Sequence, residues 1–209
     1  MKTKNVSPYL VGITGGFGTG KSTVGKILEK LGLRVIDTDD IVREILDKKN
    51  QITVRIVREF GDEVLNASAA KEYINKKKLA KIVFYDDLKR KKLERLIHPE
   101  VARRLDKLIK GRGKPMCLPN EEMIFVLVPL LFEANWQKRF SEVWCVICKK
   151  KVQFERLQKK GFKETEIKLR INAQMSLKKK ATLSDFVIDN SRNIGDTKKQ
   201  IEKWLDKVH

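Results

Sequence analysis

The sequence predicts an α/β fold: a parallel sheet flanked by helices, with an inserted helical lobe and a helical lid. Three observations predict it. Tyr9–Thr14 is an apolar run that passes through a glycine-rich loop into a helical pattern, with Val24, Ile27, Leu28 and Leu31 on one face. Met123–Val128 is almost continuously apolar, as a central parallel strand covered on both faces must be. Arg34–Ile36, Val143–Ile147 and Asp185–Ile188 read as further short strands, separated by helical patterns.

The loop between the first strand and first helix, Gly15–Thr23, reads GGFGTGKST. Gly15, four residues, then Gly20-Lys21-Ser22 satisfy the Walker A pattern. A helix N-terminus offers unpaired N–H groups and a positive dipole end, and glycines let the backbone wrap an anion closely. Gly16, Gly18, Thr19, Gly20 and Thr23 therefore line a phosphate cradle. Lys21 supplies positive charge to the outer phosphates, and the Ser22 hydroxyl is placed as a Mg2+ ligand. A dinucleotide fingerprint fits less well, because Gly16, Gly18 and Lys21 break its spacing. The sheet is thus of the P-loop NTPase type, and the chain binds a nucleoside triphosphate.

The second strand ends in Asp37-Thr38-Asp39-Asp40. Ligands of open α/β sheets bind beyond the carboxyl ends of strands, so at least one of these carboxylates serves the site. Asp37 or Thr38 also suits the cap of a helix over Ile41–Leu46. Arg43 lies one helical turn beyond Asp39 and either faces the same cleft or is solvated.

Ile52, Ile56 and Phe60 mark the next helix, which Gly61 ends. Leu79, Ile82 and Val83 form one apolar stripe, and Leu93, Leu96 and Ile97 another. His98-Pro99 interrupts the pattern, with Pro99 suited to the first turn of a new helix through Val101, Leu105 and Leu108. His98 is either a packing residue or a substrate contact. The region from Ile52 to Leu108 has no clear strand and reads as an all-helical insertion. The expected division is a core of residues 1–50 and 121–209, with 51–120 as an acceptor-binding lobe. Gly111–Asn120 reads as an exposed loop.

Met123–Val128 carries no Walker B aspartate, so Glu133 or the Asp37–Asp40 group does the polar work beyond it. Trp136 reads as a packing residue. After the fourth strand comes a basic helix, Lys149–Lys160, with Phe154 and Leu157 inward, and then a helix capped by Thr165. Arg156, Lys159, Lys160, Arg170 and Lys178–Lys180 crowd this excursion, which is either a lid over residues 149–180 or an ordinary helical hairpin. Asp196 caps a final helix whose Ile201, Trp204, Leu205 and Val208 pack on the sheet.

Composition bounds the partners. The 209 residues carry 46 Lys plus Arg against 27 Asp plus Glu, a formal net charge of +19. That balance favours polyanionic ligands without choosing among them. The lysines are scattered and no aromatic-studded groove accompanies them, so nucleic acid is not the expected partner. Cys145 and Cys148 fall three apart on a strand, on opposite faces, and read as core residues; Cys117 is alone in a loop. No signal peptide or membrane span is expected, and a reducing cytoplasm fits. Oligomeric state is left open.

The pieces GITGGFGTGKSTV at Gly12–Val24, VIDTDDIVRE at Val35–Glu44, LIHPEV at Leu96–Val101, VPLLFE at Val128–Glu133 and DFVIDNS at Asp185–Ser191 together resemble the dephospho-coenzyme A kinase family. The resemblance covers nearly the whole chain. It implies a monophosphate-kinase-type fold, ATP as donor with Mg2+, and dephospho-CoA as acceptor at its ribose 3′-hydroxyl. It implies Asp39 as catalytic base, with Arg43 and His98 on the substrate side. It also implies Glu133 near the acceptor and Asn190 at the edge of the adenine pocket. Where the family has an arginine before the helix holding Leu79, this chain has Lys76; the lid arginine is replaced by Lys160, with Arg156 one turn earlier. Lysine keeps the charge but lacks the fixed two-pronged fork of arginine. The nearest alternatives are another small-molecule or nucleotide kinase, and a nucleic-acid-binding P-loop ATPase.

Overall fold

A computed structural model of the chain describes residues 8–66, 73–84, 86–110 and 123–208. The Gly111–Asn120 loop, with Cys117, lies outside the described residues. The chain divides into two compact units: Met1–Ile36 with Arg112–His209, and Asp37–Gly111.

The first unit is built on a five-stranded sheet. Its strands are β1 (Tyr9–Gly15), β2 (Arg34–Asp37, whose last residue belongs to the second unit), β3 (Met123–Leu127), β4 (Glu142–Ile147) and β5 (Phe186–Asp189). They lie in the order β2-β3-β1-β4-β5, and β1 pairs in parallel with both β3 and β4, as does β4 with β5. The chain runs outward from β1 on one side to β2, and later on the other side to β4 and β5. The loop after β1 therefore stands where the strand order reverses, the place where open α/β sheets bind ligands.

Helix α1 (Lys21–Lys30) and the C-terminal helix Ile194–Val208 pack against this sheet, as does the short helix Leu177–Thr182. Val11, Ile13, Val24, Leu28, Phe125, Trp144, Ile188, Ile201 and Trp204 form one buried cluster. Trp144 and Trp204 meet edge to face, and both indole N–H groups donate to Glu142 Oε1. That satisfies two polar groups that burial would otherwise leave unpaired. The apolar face of the last helix stops short of Val208, which is exposed. Its cap is Asn193 rather than Asp196: the Asn193 side chain accepts from the Asp196 N–H, leaving Asp196 in the first turn.

In the second unit, α2 (Thr38–Asp47) and α3 (Gln51–Phe60) precede a 3₁₀ turn, Asp62–Val64. Asn50 caps α3 through a reciprocal capping box with Thr53. Gly61, at φ +86°, ends it with its N–H on the Val57 carbonyl. Then come α4 (Lys76–Phe84) and α5 (Asp87–Lys110). The unit is not wholly helical, since Leu65 and Ile74 form an antiparallel bridge.

The expected break at His98-Pro99 does not occur, and α5 runs through Pro99. Buried Ile97, Val101 and Leu105 are four apart and keep one phase, while Pro99 faces solvent. Burial along that unbroken face outweighs the single hydrogen bond that proline removes.

Candidate active site

The loop after β1 is shaped by positions where side chains do not fit. Gly15, Gly18 and Gly20 have φ of +150°, +78° and +101°. A Cβ on Gly20 would collide with Asn190 Nδ2, and one on Gly18 would press on Leu157 at 2.7 Å. Helix α1 starts directly at Lys21 with Gly20 as N-cap, no side-chain cap and no acidic residue in its first turn. Its leading N–H groups and its dipole are thus offered to an anion.

Lys21 bends back over this loop and donates from Nζ to the carbonyls of Gly15 and Gly16, at 3.0 and 2.9 Å. Ser22 is exposed at the first turn of α1, and Thr23 is half-buried. Thr19 is turned the other way: fully buried, it donates from Oγ1 to the Gly16 carbonyl and closes the turn.

Asn190, just past β5, is buried behind the loop. Its Nδ2 donates to the Thr19 carbonyl at 2.9 Å, and its Oδ1 accepts from Thr197 Oγ1 at 3.0 Å. Its amide holds the loop from behind.

Helix α6 (Lys150–Lys159) brings Arg156 to the same place, 3.6 Å from the position a Gly20 Cβ would take. Arg156 Nη1 is buried with no hydrogen-bond partner among the described residues. An arginine nitrogen held dry beside an anion-ready helix end is a donor awaiting an acceptor. Lys160, by contrast, is the exposed C-cap residue of α6. Leu157 is inward as expected, but the second buried residue is Gln153 rather than Phe154, which is half-buried.

Helix α7 (Glu164–Asn172) begins one residue earlier than Thr165, which lies inside it rather than capping it. Its Arg170 is ion-paired with Glu166 at 2.8 Å and stacks over Phe17 and Phe162, each at 5.1 Å. The short helix α8 (Leu177–Thr182) carries Lys180. Lys180 is not an exposed lid cation: its side chain is 0% exposed, 2.9 Å from Glu133 Oε1 and donating to the Pro129 carbonyl at 2.7 Å. Glu133 Oε1 also accepts from the Met175 N–H. The Glu133 carboxylate therefore fastens the segment after β3 to the segment before α8, and its Oε2 is buried without a hydrogen-bond partner among the described residues.

The three aspartates where the second unit begins, Asp37, Asp39 and Asp40, are differentiated by their neighbours. Asp37 is the N-cap of α2 and accepts from the Asp39 N–H at 2.9 Å. Asp40 pairs with Arg43 at 2.7 Å, with both side chains about 60% exposed. Asp39 is exposed on the first turn of α2. Lys76, at the start of α4, is 2.6 Å from Asp47 at the end of α2. His98 is half-buried on α5, and that burial lowers its pKa from the usual 6.5. Two residues beyond it, Glu100 binds Arg103 and Arg104, whose hydrogen bonds hold its carboxyl down at about 2.

Within the first unit the structure joins Lys21, the loop glycines, Arg156 and Asn190 in one place, and puts Glu133 in a separate ion pair. Within the second, Asp39 and Arg43 share α2. Sequence reasoning missed Gln153, Gln174, Thr197 and the burial of Lys180. For Gln153 a signal existed, because it lies four residues before Leu157 on the inward face of α6. Burial also raises the thiols of Cys145, to about 11, and of Cys148.

The model of the dephospho-CoA kinase family matches residues 9–196. The chain is similar to the dephospho-CoA kinase of Carboxydothermus hydrogenoformans, 38% identical over 200 residues that cover 93% of this chain and 94% of that protein. In structure it is similar to TT1252 from Thermus thermophilus, with TM-score 0.77 and 27% identity over 98% of this chain and 100% of that one. It is also similar to the dephospho-CoA kinase from Campylobacter jejuni, with TM-score 0.66 and 25% identity over 95% and 96% of the two chains.

Proposed function

The chain belongs to the dephospho-CoA kinase family, and we infer that it phosphorylates dephospho-CoA at the ribose 3′-hydroxyl with ATP, forming coenzyme A and ADP. The observation that carries this reading is the family match over residues 9–196, on a chain whose glycine loop feeds an uncapped helix N-terminus. Those N–H groups fit the triphosphate of ATP without rearrangement of the sheet.

In the reaction, the 3′-oxygen of the acceptor forms a bond to the γ-phosphorus of ATP. The bond from that phosphorus to the β,γ-bridging oxygen breaks, and ADP leaves with its electron pair. Gly16, Gly18, Thr19, Gly20, Lys21, Ser22 and Thr23 hold the donor phosphates. Thr19 and Asn190 act by setting the loop, the others by facing the anion. Lys21 exchanges its carbonyl partners for phosphate oxygen.

The exposed hydroxyl of Ser22, at the first turn of α1, fits a magnesium ion. Bound Mg2+ supplies charge neutralisation across the donor phosphates. Asp39 takes the proton of the acceptor hydroxyl. Arg43, Lys76, His98 and Glu133 are assigned to the acceptor, as the family resemblance implies. Arg156, whose Nη1 is buried without a hydrogen-bond partner among the described residues, is the cation for the transferring phosphoryl group. The reading places the enzyme in the cytoplasm, with buried free thiols at Cys145 and Cys148 and no helix among the described residues long and apolar enough to cross a membrane.

The test is an acceptor panel. ADP release is measured with dephospho-CoA, with nucleoside monophosphates, with shikimate and with single-stranded DNA. Release with dephospho-CoA alone is expected. Equal or greater release with another acceptor overturns the assignment, and stimulation by DNA points to the ATPase alternative.

A further inference from the structure

Phe17, at the tip of the Walker loop, is gripped from two sides by residues that the phosphate-site reading leaves without a role. Its N–H donates to Gln174 Oε1 at 3.0 Å, and its carbonyl accepts from Gln153 Nε2. The backbone dictates which end of each amide is used, because an N–H needs an oxygen and a carbonyl needs an N–H. Gln153 comes from α6 and is only 5% exposed. Gln174 follows α7.

The two contacts fix two peptide planes. A trans peptide points its C=O and its N–H in opposite directions. With the Phe17 N–H turned toward Gln174, the Gly16 carbonyl on the same plane is turned away from Gln174. There it accepts from Lys21 Nζ at 2.9 Å and from Thr19 Oγ1 at 3.0 Å. With the Phe17 carbonyl turned toward Gln153, the Gly18 N–H is turned to the opposite side. A flip of either plane would present a carbonyl dipole where an N–H stands, and Gly16 and Gly18 give little steric resistance to a flip.

The Phe17 ring is held as well. It meets Phe162 edge to face at 5.2 Å, under the Arg170 guanidinium. Gln174 is in turn anchored by its neighbour, since the Met175 N–H is tied to the Glu133–Lys180 pair.

We propose that Gln153 and Gln174 are positioning residues that lock the peptide planes on either side of Phe17 and so present the Walker loop to the phosphates of the nucleotide. The proposal rests on the kinase reading above for its nucleotide, not for its acceptor.

The test uses the full chain with Gln153→Met and Gln174→Met, which keep length and lose the amide. Gln158→Met, at an exposed position of α6, is the control. ADP affinity is read by calorimetric titration, alongside KM for ATP and for dephospho-CoA and a thermal melt. Each glutamine variant is expected to weaken ADP binding and raise KM for ATP roughly three- to tenfold, the range for one lost hydrogen bond. KM for dephospho-CoA stays within about twofold, and Gln158→Met matches the parent.

Folded variants that bind ADP as the parent does overturn the proposal. So does an equal rise in both KM values, which marks a merely structural role. If buried Gln153→Met does not fold, half-buried Gln174→Met decides alone. If the parent binds ADP but does not use dephospho-CoA, the acceptor assignment falls while the ADP titrations still decide the glutamines.

Discussion

Asn190 Nδ2 lies 2.9 Å from the Thr19 carbonyl, joining the end of β5 to the loop after β1 across 171 residues of sequence. The same amide group stands where a Cβ on Gly20 would have to go. The loop is thus fixed by a side chain packed into the space that glycine leaves.

Gly20→Ala is therefore expected to be costly twice over. A left-handed φ of +101° costs alanine about 1–2 kcal/mol, and the methyl displaces Asn190 from Thr19. Asn190→Ala in the Gly20→Ala background removes the collision but not the backbone strain. Urea melts of the two single variants and the double should show the double as less destabilised than the sum of the singles. Strict additivity would mean that the two residues do not compete for that space.

The ion pair between buried Lys180 and half-buried Glu133 makes a second prediction. Lys180→Met leaves a carboxylate that is mostly enclosed by protein without its counter-ion, which typically costs about 3–5 kcal/mol. Glu133→Gln combined with Lys180→Met removes both charges and keeps an acceptor for the Met175 N–H. The double variant is expected to recover more than half the loss, measured by equilibrium unfolding. A single variant as stable as the parent would remove the pair from the framework of the fold.

Glu100 gives a pH dependence. Its carboxyl is held at about 2 by Arg103 and Arg104, against about 4.3 for an unfolded glutamate. The lower folded value means that its contribution is complete above about pH 4.3 and is lost as pH falls through about 2. Much of this interaction is at the surface, so the effect is modest and weakens with salt. Thermal melts between pH 5 and pH 2 should show a shallower decline for Glu100→Gln than for the parent at low ionic strength. Parallel curves would mean that the two arginines do not stabilise the carboxylate.

What was legible in the sequence was local. The Walker loop announces itself because its chemistry needs Gly20, Lys21 and Ser22 at fixed spacing. The strands and most helices announce themselves by period. What was hidden was mostly long-range. Nothing near Lys180 distinguishes it from Lys178 and Lys179 until Pro129 and Glu133 are brought to it by folding. Gln153 sits on a face that period alone marks as inward, but its partner is 136 residues away. The misplaced caps at Thr165 and Asp196 show a different limit. Several residues near a helix start are chemically able to cap, and the backbone angle that selects one is set by the preceding turn. At Pro99 a local rule was overridden by the continuous buried face of α5.

The last prediction separates Asp39 from its neighbours. The structure gives Asp37 the cap of α2 and gives Asp40 the Arg43 ion pair. Asn is itself a good N-cap, so Asp37→Asn should change stability and turnover little. Asp40→Asn loses an exposed ion pair, worth at most about 1 kcal/mol, and frees Arg43 without touching the proton transfer. Asp39→Asn keeps the size and the helix, but an amide cannot take the proton of the acceptor hydroxyl. Turnover should fall roughly 10²–10⁴-fold, with ADP affinity unchanged because the Walker loop is intact. The measurement is kcat for each of the three Asn variants beside an ADP titration. Near-normal turnover for Asp39→Asn, with collapse at Asp37 or Asp40, would move the base to that residue. Loss of ADP affinity at Asp39→Asn would mean that its carboxylate serves the nucleotide side of the reaction instead of the acceptor.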